Sequence, residues 1–301
     1  MKICIIVFSP SGHTLQAAKM LQTAMQEQGM KVQLLNITRQ EEVFKHNKVR
    51  DYLLKNVERH DVLCIGGPVY AGHLEGNVQK IIRQLPAPDK HWGKLAIPFI
   101  TYGGLHSSVA LQEAGALLHA NKRTTVLGVK MASFHSLSQN LLPCKINEGK
   151  PGREEEQVAG EMARRLKQLS DQGQWEDVRQ SFAYASLMHK MVLKFLSQDY
   201  FHRKYRTVHA KPEKCNGCGT CQKLCPVNLI EIVDQKAVRV DNGNYCLLCA
   251  ECYHHCPRHA VVHEFVEQKI TKKLNKEKQK YHELPQSAVY PLIAQEIGNN
   301  G

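Results

Sequence analysis

Apolar residues in the first half of the chain come in short unbroken runs, and between the runs they recur every three or four positions. The runs are Lys2–Phe8, Val32–Ile37, Asp61–Gly66, Leu95–Thr101 and Thr125–Met131. Each has strand length and no polar alternation, which predicts strands buried on both faces. Leu15, Ala18, Met20, Leu21 and Ala24 mark the buried face of a first helix. Further helical stretches are predicted from roughly Glu41 to Val57, near Ser107, and from roughly Glu154 to Leu169. Strands alternating with helices in this way predict an α/β fold, a doubly wound five-stranded parallel sheet of order 2-1-3-4-5.

The pattern then changes. Tyr184, Leu187, Met188, Met191, Val192, Phe195 and Leu196 form a stripe at helical spacing, with Lys190 and Lys194 off it. This predicts an amphipathic helix that fixes the two halves against each other. The basic RKYR run from Arg203 to Arg206 is a solvated face or a docking site for an acidic carrier. Beyond it the apolar pieces are very short: Leu229–Val233, Ala237–Val240 and Val261–Val266. From Lys269 to Lys280 the chain is Lys-rich, with Ile270 and Leu274 its apolar exceptions, which reads as a marginal exposed helix and then a mobile end. The expected divisions are 1–172, a linker helix over 173–210, a second domain over 211–265 and a basic tail over 266–301.

With 40 Lys and Arg against 28 Asp and Glu, the chain carries a formal charge of +12. No nucleic-acid motif accompanies that charge and the cations are spread along the chain, so an acidic protein partner or an anionic substrate is expected rather than nucleic acid. No stretch approaches the roughly 18 apolar residues of a membrane helix. The opening MKICIIVF has a short apolar core but runs into a turn without a small-residue cleavage site, unlike a signal peptide.

The firmest chemistry lies in the cysteines. CNGCGTCQKLCP starts at Cys215 and CLLCAECYHHCP at Cys246, and both have the spacing C-x2-C-x2-C-x3-C-P. This is the bacterial pattern for [4Fe–4S] clusters, in which the fourth Cys of each run ligates the other cluster. Cys215, Cys218, Cys221 and Cys256 are thus assigned to one cluster, and Cys246, Cys249, Cys252 and Cys225 to the other. A pair of zinc sites would need two CxxC pairs each, far apart, and fits this duplicated order poorly. Cys4 and Cys64 lie in strand runs and read as buried small hydrophobes. No disulfide framework is left over, so a reducing, cytoplasmic location is expected.

The strand ends carry a second constellation. After the first strand comes SPSGHT, Ser9 to Thr14, opening straight into a helix: hydroxyls, backbone N–H groups and a helix N-terminus suited to an anion, without the Lys of a nucleotide P-loop. After the third comes GGPVYAG, Gly66 to Gly72, and after the fourth TYGG, Thr101 to Gly104. In doubly wound sheets ligands bind beyond the carboxyl ends of the strands, where these loops meet. Over roughly residues 1–172 the sequence resembles flavodoxins. That resemblance implies FMN, its phosphate held by Ser9, Ser11, Gly12, His13 and Thr14. Its ring would lie against Gly67, Pro68, Val69, Tyr70, Ala71 and Gly72 and against Thr101, Tyr102, Gly103 and Gly104, with Tyr70 stacking on it.

Together the halves resemble the flavodoxin–ferredoxin fusion proteins of anaerobic bacteria, a family defined by architecture rather than by one reaction. The resemblance implies FMN and two [4Fe–4S] clusters in one polypeptide, with an α+β two-cluster ferredoxin domain at the C-terminus. The expected function is an oxidoreductase. A low-potential donor, such as an acidic ferredoxin or flavodoxin, feeds the clusters, the clusters feed FMN, and a small acceptor is reduced near Tyr70, Tyr102 and His106. His106 and Tyr102 are the candidate catalytic residues. The competing expectation is an electron carrier that meets only proteins. The stretch from Lys130 to Arg153, long for a strand-to-helix connection, discriminates them: a lid over the flavin favours the enzyme, and a lid folded away favours the carrier.

Overall fold

The computed structural model describes residues 1–138, 145–185, 191, 193, 208–263, 276 and 286–292. Most of the predicted linker-helix stripe, the RKYR run and most of the Lys-rich tail lie outside the described residues. Strands β1 (Lys2–Val7), β2 (Lys31–Asn36), β3 (His60–Tyr70), β5 (Trp92–Tyr102) and β7 (Gly128–Ala132) pair in parallel in the order β2-β1-β3-β5-β7. Helices α1 (His13–Glu27) and α6 (Arg153–Gln172) cover one face of this sheet. Helices α2 (Glu41–Phe44), α3 (Val49–Asn56), α4 (Gly76–Gln84) and α5 (Ala110–Ala120) cover the other. Alternate residues of β1 show why its sequence is unbroken: Ile3, Ile5 and Val7 enter one core, while Cys4 and Ile6 enter the other. Cys4 and Cys64 are fully buried, and burial pushes both thiols up, as befits apolar packing residues.

Three features depart from the sequence reading. The helix expected over 41–57 is two helices, separated where Asn47 turns left-handed (φ 54°). The third strand does not stop at Gly66 but runs on through Tyr70 and folds back as β4 (His73–Leu74). The sheet also has more than five strands: besides β4 and the short β6 (Thr124–Thr125), the tail returns as β12 (Ala288–Tyr290), antiparallel to β7. That strand caps the edge of β7, which would otherwise present unpaired backbone to solvent. Ser287 anchors it, donating to Glu155 Oε1 at 2.7 Å and accepting the Ala132 N–H at 2.9 Å. So 286–292 is part of the first domain's sheet rather than a mobile end.

The second half is small and paired on itself. β8 (Val208–Ala210) pairs with β11 (Val261–His263), and β9 (Ile230–Val233) forms a hairpin with β10 (Lys236–Arg239). Two short helices, Thr220–Leu224 and Glu251–His254, carry the ends of the two Cys runs. The two halves share core: Cys225, Val227, Leu229 and Leu247 pack in one cluster with Phe8, Phe44, Leu74 and Val78.

Candidate functional site

The eight motif cysteines line two cavities. Cys215, Cys218, Cys221 and Cys256 surround one, and Cys225, Cys246, Cys249 and Cys252 the other. Each cavity therefore takes three cysteines from one run and the fourth from the other, the grouping that the crossed ligation predicts. The two fourth cysteines have matching surroundings. Cys225 Sγ accepts the Leu229 N–H at 3.2 Å and Cys256 Sγ accepts the Ala260 N–H at 3.2 Å, both four residues on. Such N–H···S bonds orient a thiolate and tune a cluster's potential. The cavities differ in setting. Cys218 of the first is exposed, whereas Cys225 of the second is buried in the core shared with the N-terminal domain.

The phosphate-loop candidate turns tightly at Gly12, whose φ of 87° favours Gly. Ser9 is buried; its Oγ accepts the Leu15 N–H at 2.9 Å, and its own N–H donates to Thr38 Oγ1 at 2.8 Å. Thr14 Oγ1 and Thr101 Oγ1 are 2.7 Å apart, so the first and third loops touch. Burial lowers the His13 pKa and favours its neutral form.

The Gly-rich stretch is built differently from expectation. A Cβ on Gly66 would strike the Phe99 carbonyl oxygen, and one on Gly67 would strike Val78 Cγ2. These glycines make room for β5 and α4. Pro68 and Val69 continue the strand, and Ala71 (φ 52°) and Gly72 (φ 81°) form the hairpin turn. Tyr70 is half-buried on the shared core. Burial first, then the nearby Cys249, Glu75, Glu251 and Cys246, pushes its hydroxyl well above the usual tyrosine range. Tyr70, the last residue of β3, thus lies near Cys246 and Cys249 of the second cluster cavity.

The third loop is covered. Ser133 N–H donates to the Tyr102 carbonyl at 2.8 Å. A Cβ on Gly103 would meet His135 Cδ2 at 2.5 Å, and one on Gly104 (φ 80°) would strike the Asn147 amide. Ser136 Oγ donates to Ser11 Oγ at 3.0 Å, and the Phe134 ring meets His13 edge-on at 5.4 Å. Burial pushes His135 down to about 4, so it is neutral near neutral pH. The described parts of the 130–153 stretch therefore lie across both loops.

Tyr102 and His106 have different surroundings. Tyr102 is buried at 2% exposure, its ring 5.7 Å from the ammonium of Lys130, itself buried among aromatics. Tyr102 is the last residue of β5. His106 lies at the hairpin turn beside Gly72, with Nδ1 2.9 Å from Ser108 Oγ. On the other side of that turn His73 Nδ1 sits 2.7 Å from Glu113 Oε1. Burial opposes protonation of His73, but the hydrogen bond and charge of Glu113 outweigh it and raise its pKa. His73 and His135 stand in strand-end loops of the sequence pattern, but Glu113, Asn147 and Thr38 carry no such signal, because only tertiary folding brings them to the loops.

Glu75, buried and near Tyr70, caps α4 by accepting the N–H groups of Asn77 (2.9 Å) and Val78 (3.1 Å). Burial outweighs these bonds and pushes its pKa up to about 7. The folded state therefore holds this proton more tightly than the unfolded chain does. Stability from the group is full below about 4.5 and is lost as pH rises through about 7. Glu75→Gln keeps the accepting oxygen and should flatten that pH dependence, measured by denaturant unfolding between those limits; an unchanged slope would refute the assignment.

The family described as NADPH-dependent FMN reductase matches residues 1–136, and the 4Fe-4S dicluster domain family matches residues 214–261. The chain is thus an iron–sulfur flavoprotein of the electron-transfer class, an oxidoreductase. The two matches together are consistent with a flavodoxin–ferredoxin fusion, and the chain's cofactors are FMN and two [4Fe–4S] clusters. Solved structures similar to it include a flavodoxin from the domain Archaea, at 13% identity over 57% of this chain and 99% of that one, TM-score 0.38. The apo form of the NADH:FMN oxidoreductase EmoB is similar at 17% identity over 56% and 88%, TM-score 0.41. Rubredoxin oxygen:oxidoreductase from the anaerobe Desulfovibrio gigas is similar at 14% identity over 57% and 36%, TM-score 0.39. No curated protein matches the chain. Among the described residues no helix is long and apolar enough to cross a membrane.

Proposed function

We propose that the protein is a reductase that draws single electrons from a low-potential donor and delivers them, through FMN, to a small acceptor. Electrons enter at the cluster held by Cys215, Cys218, Cys221 and Cys256, because Cys218 is exposed there. They pass to the cluster held by Cys225, Cys246, Cys249 and Cys252, which shares core with the flavin domain. FMN supplies the conversion between one-electron and two-electron chemistry. Ser9, Ser11, Gly12 and Thr14 hold its phosphate; His13 and Ser136 close that loop. Thr101, Gly103 and Gly104 position the ring, and Tyr70 lies between ring and second cluster. His106, with the His73–Glu113 pair beside it, lines the rim from which a proton reaches the acceptor. The donor is an acidic carrier protein, attracted by the net charge of +12.

The observation that carries the reductase reading over the bare-carrier reading is the cover. His135 and Asn147 pack onto Gly103 and Gly104, and Ser136 bonds Ser11. A carrier needs an open flavin edge, whereas a reductase benefits from a site that excludes water. The test is anaerobic reoxidation of the reduced holoprotein by a panel of small acceptors and by acidic carrier proteins. Reoxidation by carriers alone would sink the proposal. Gly103→Val should push the His135 ring away and open the cover. We expect small-acceptor turnover to fall about tenfold or more while exchange with carriers persists. Equal losses in both would count against a role for the cover.

A further inference from the structure

Arg39 sits in the turn after β2, where the two halves of the chain meet, with a left-handed backbone (φ 66°). It grips the dicluster domain on both sides of Cys225. Its backbone N–H donates to the Pro226 carbonyl at 3.1 Å, and its Nη2 donates to the Leu224 carbonyl at 3.1 Å. Its own carbonyl accepts from Asn228 Nδ2 at 3.3 Å. The same Nη2 reaches the Pro10 carbonyl, inside the phosphate-loop candidate, at 3.4 Å. Its neighbour Thr38 accepts the Ser9 N–H from that loop at 2.8 Å. Finally, Arg39 Nε is buried and has no acceptor.

A charged donor withdrawn from water and left without an acceptor is costly, and such groups in folded proteins call for an explanation. The loop it touches holds neither Lys nor Arg between Ser9 and Thr14. A phosphate there would be met by hydroxyls, backbone N–H groups and the helix N-terminus, with no full positive charge from the loop itself. A guanidinium presents several donors in a fixed fork, so one side chain can hold two carbonyls and still offer an N–H to a phosphate. We infer that Arg39 serves both cofactor sites at once: it fastens the Cys225 segment to the flavin-phosphate loop and supplies that loop with its positive charge. The inference rests on the reading of Ser9–Thr14 as the phosphate loop and of Cys225 as a cluster ligand.

The test compares FMN with riboflavin, which lacks the phosphate, on full-length protein stripped of flavin and loaded with clusters. Binding is followed anaerobically by quenching of flavin fluorescence. Arg39→Met keeps the stem and removes the fork; it should weaken FMN about tenfold to a hundredfold and leave riboflavin within about twofold. Arg39→Lys keeps the charge but cannot span both carbonyls. It should recover part of the FMN preference, while the Leu229 N–H bonded to Cys225 Sγ exchanges faster with solvent than in the parent protein. Asn244→Ala is the control: it removes another contact between the halves, Asn244 Nδ2 to the Phe44 carbonyl at 2.5 Å, and should leave the FMN preference intact. Equal losses for FMN and riboflavin in Arg39→Met, or no loss in either, would overturn the inference, as would a matching change in Asn244→Ala. If the parent protein bound neither flavin, the phosphate-loop reading itself would fall and the inference with it.

Discussion

Replacing Cys225 by Ser is expected to abolish the cluster whose other three ligands lie more than twenty residues later, at Cys246, Cys249 and Cys252, and to spare the one held by its own run. About half of the iron should be lost, because each cavity draws four cysteines and only one of the four changes hands between runs. Cys256→Ser should do the converse, removing the cluster beside Cys215, Cys218 and Cys221. The effects on electron flow differ. Cys225 packs with Phe8, Phe44 and Leu229 in the core that joins the halves, so its loss also severs the step from clusters to flavin. We expect cluster-driven flavin reduction in Cys225→Ser to fall at least about a hundredfold, although dithionite still reduces the remaining cluster. Iron content, electron paramagnetic resonance of the reduced protein and the flavin bleaching rate would measure this together. Loss confined to the cavity of Cys215, Cys218 and Cys221 would refute crossed ligation.

Much of this architecture is legible in the chain because it depends on local rules. The parallel strands declare themselves since both faces are buried, and the cysteine spacing encodes the two cavities because a tight loop can present only three thiols to one of them. What is not legible depends on tertiary distance. GGP reads as a strand terminator, yet Gly66 and Gly67 are small because Phe99 and Val78 crowd them, and the strand runs on to Tyr70. Tyr102 reads as a loop aromatic, but it is the last residue of β5, and only the fold brings Lys130 to within 5.7 Å of its ring. β12 is too short at Ala288–Tyr290 for any periodicity, and its role follows only from the bare edge of β7. Arg39 looks like one more cation in a basic chain until the fold brings Pro10 and Leu224 to it.

Gly66→Ala is expected to be among the most damaging single-methyl changes in the N-terminal domain. Gly66 pairs with Val7 on one side and Phe99 on the other, and its carbonyl accepts the Phe8 N–H at 3.2 Å just before the phosphate loop begins. A Cβ there would fall on the Phe99 carbonyl oxygen and within 2.6 Å of its ring carbons. The ring is fully buried and the carbonyl belongs to a central strand, so neither can step aside cheaply. β3 must instead separate from β5, which pulls Pro68 from its partner Thr101 and strains the Thr14–Thr101 hydroxyl contact at the mouth of the flavin site. Overpacking of this kind costs about 3 kcal/mol, which for a domain of this size lowers Tm by roughly 10 °C. Flavin occupancy should fall with it, while the cluster spectrum is retained, since both cavities are built from residues 208–263. Gly29→Ala separates the clash from backbone strain. Gly29 is left-handed (φ 77°) with nothing within 4 Å of a Cβ, so it should cost only the conformational penalty, about 1 kcal/mol. If thermal melting of the two variants were indistinguishable, close approach of β3 and β5 at Gly66 would not be what holds the three loops together.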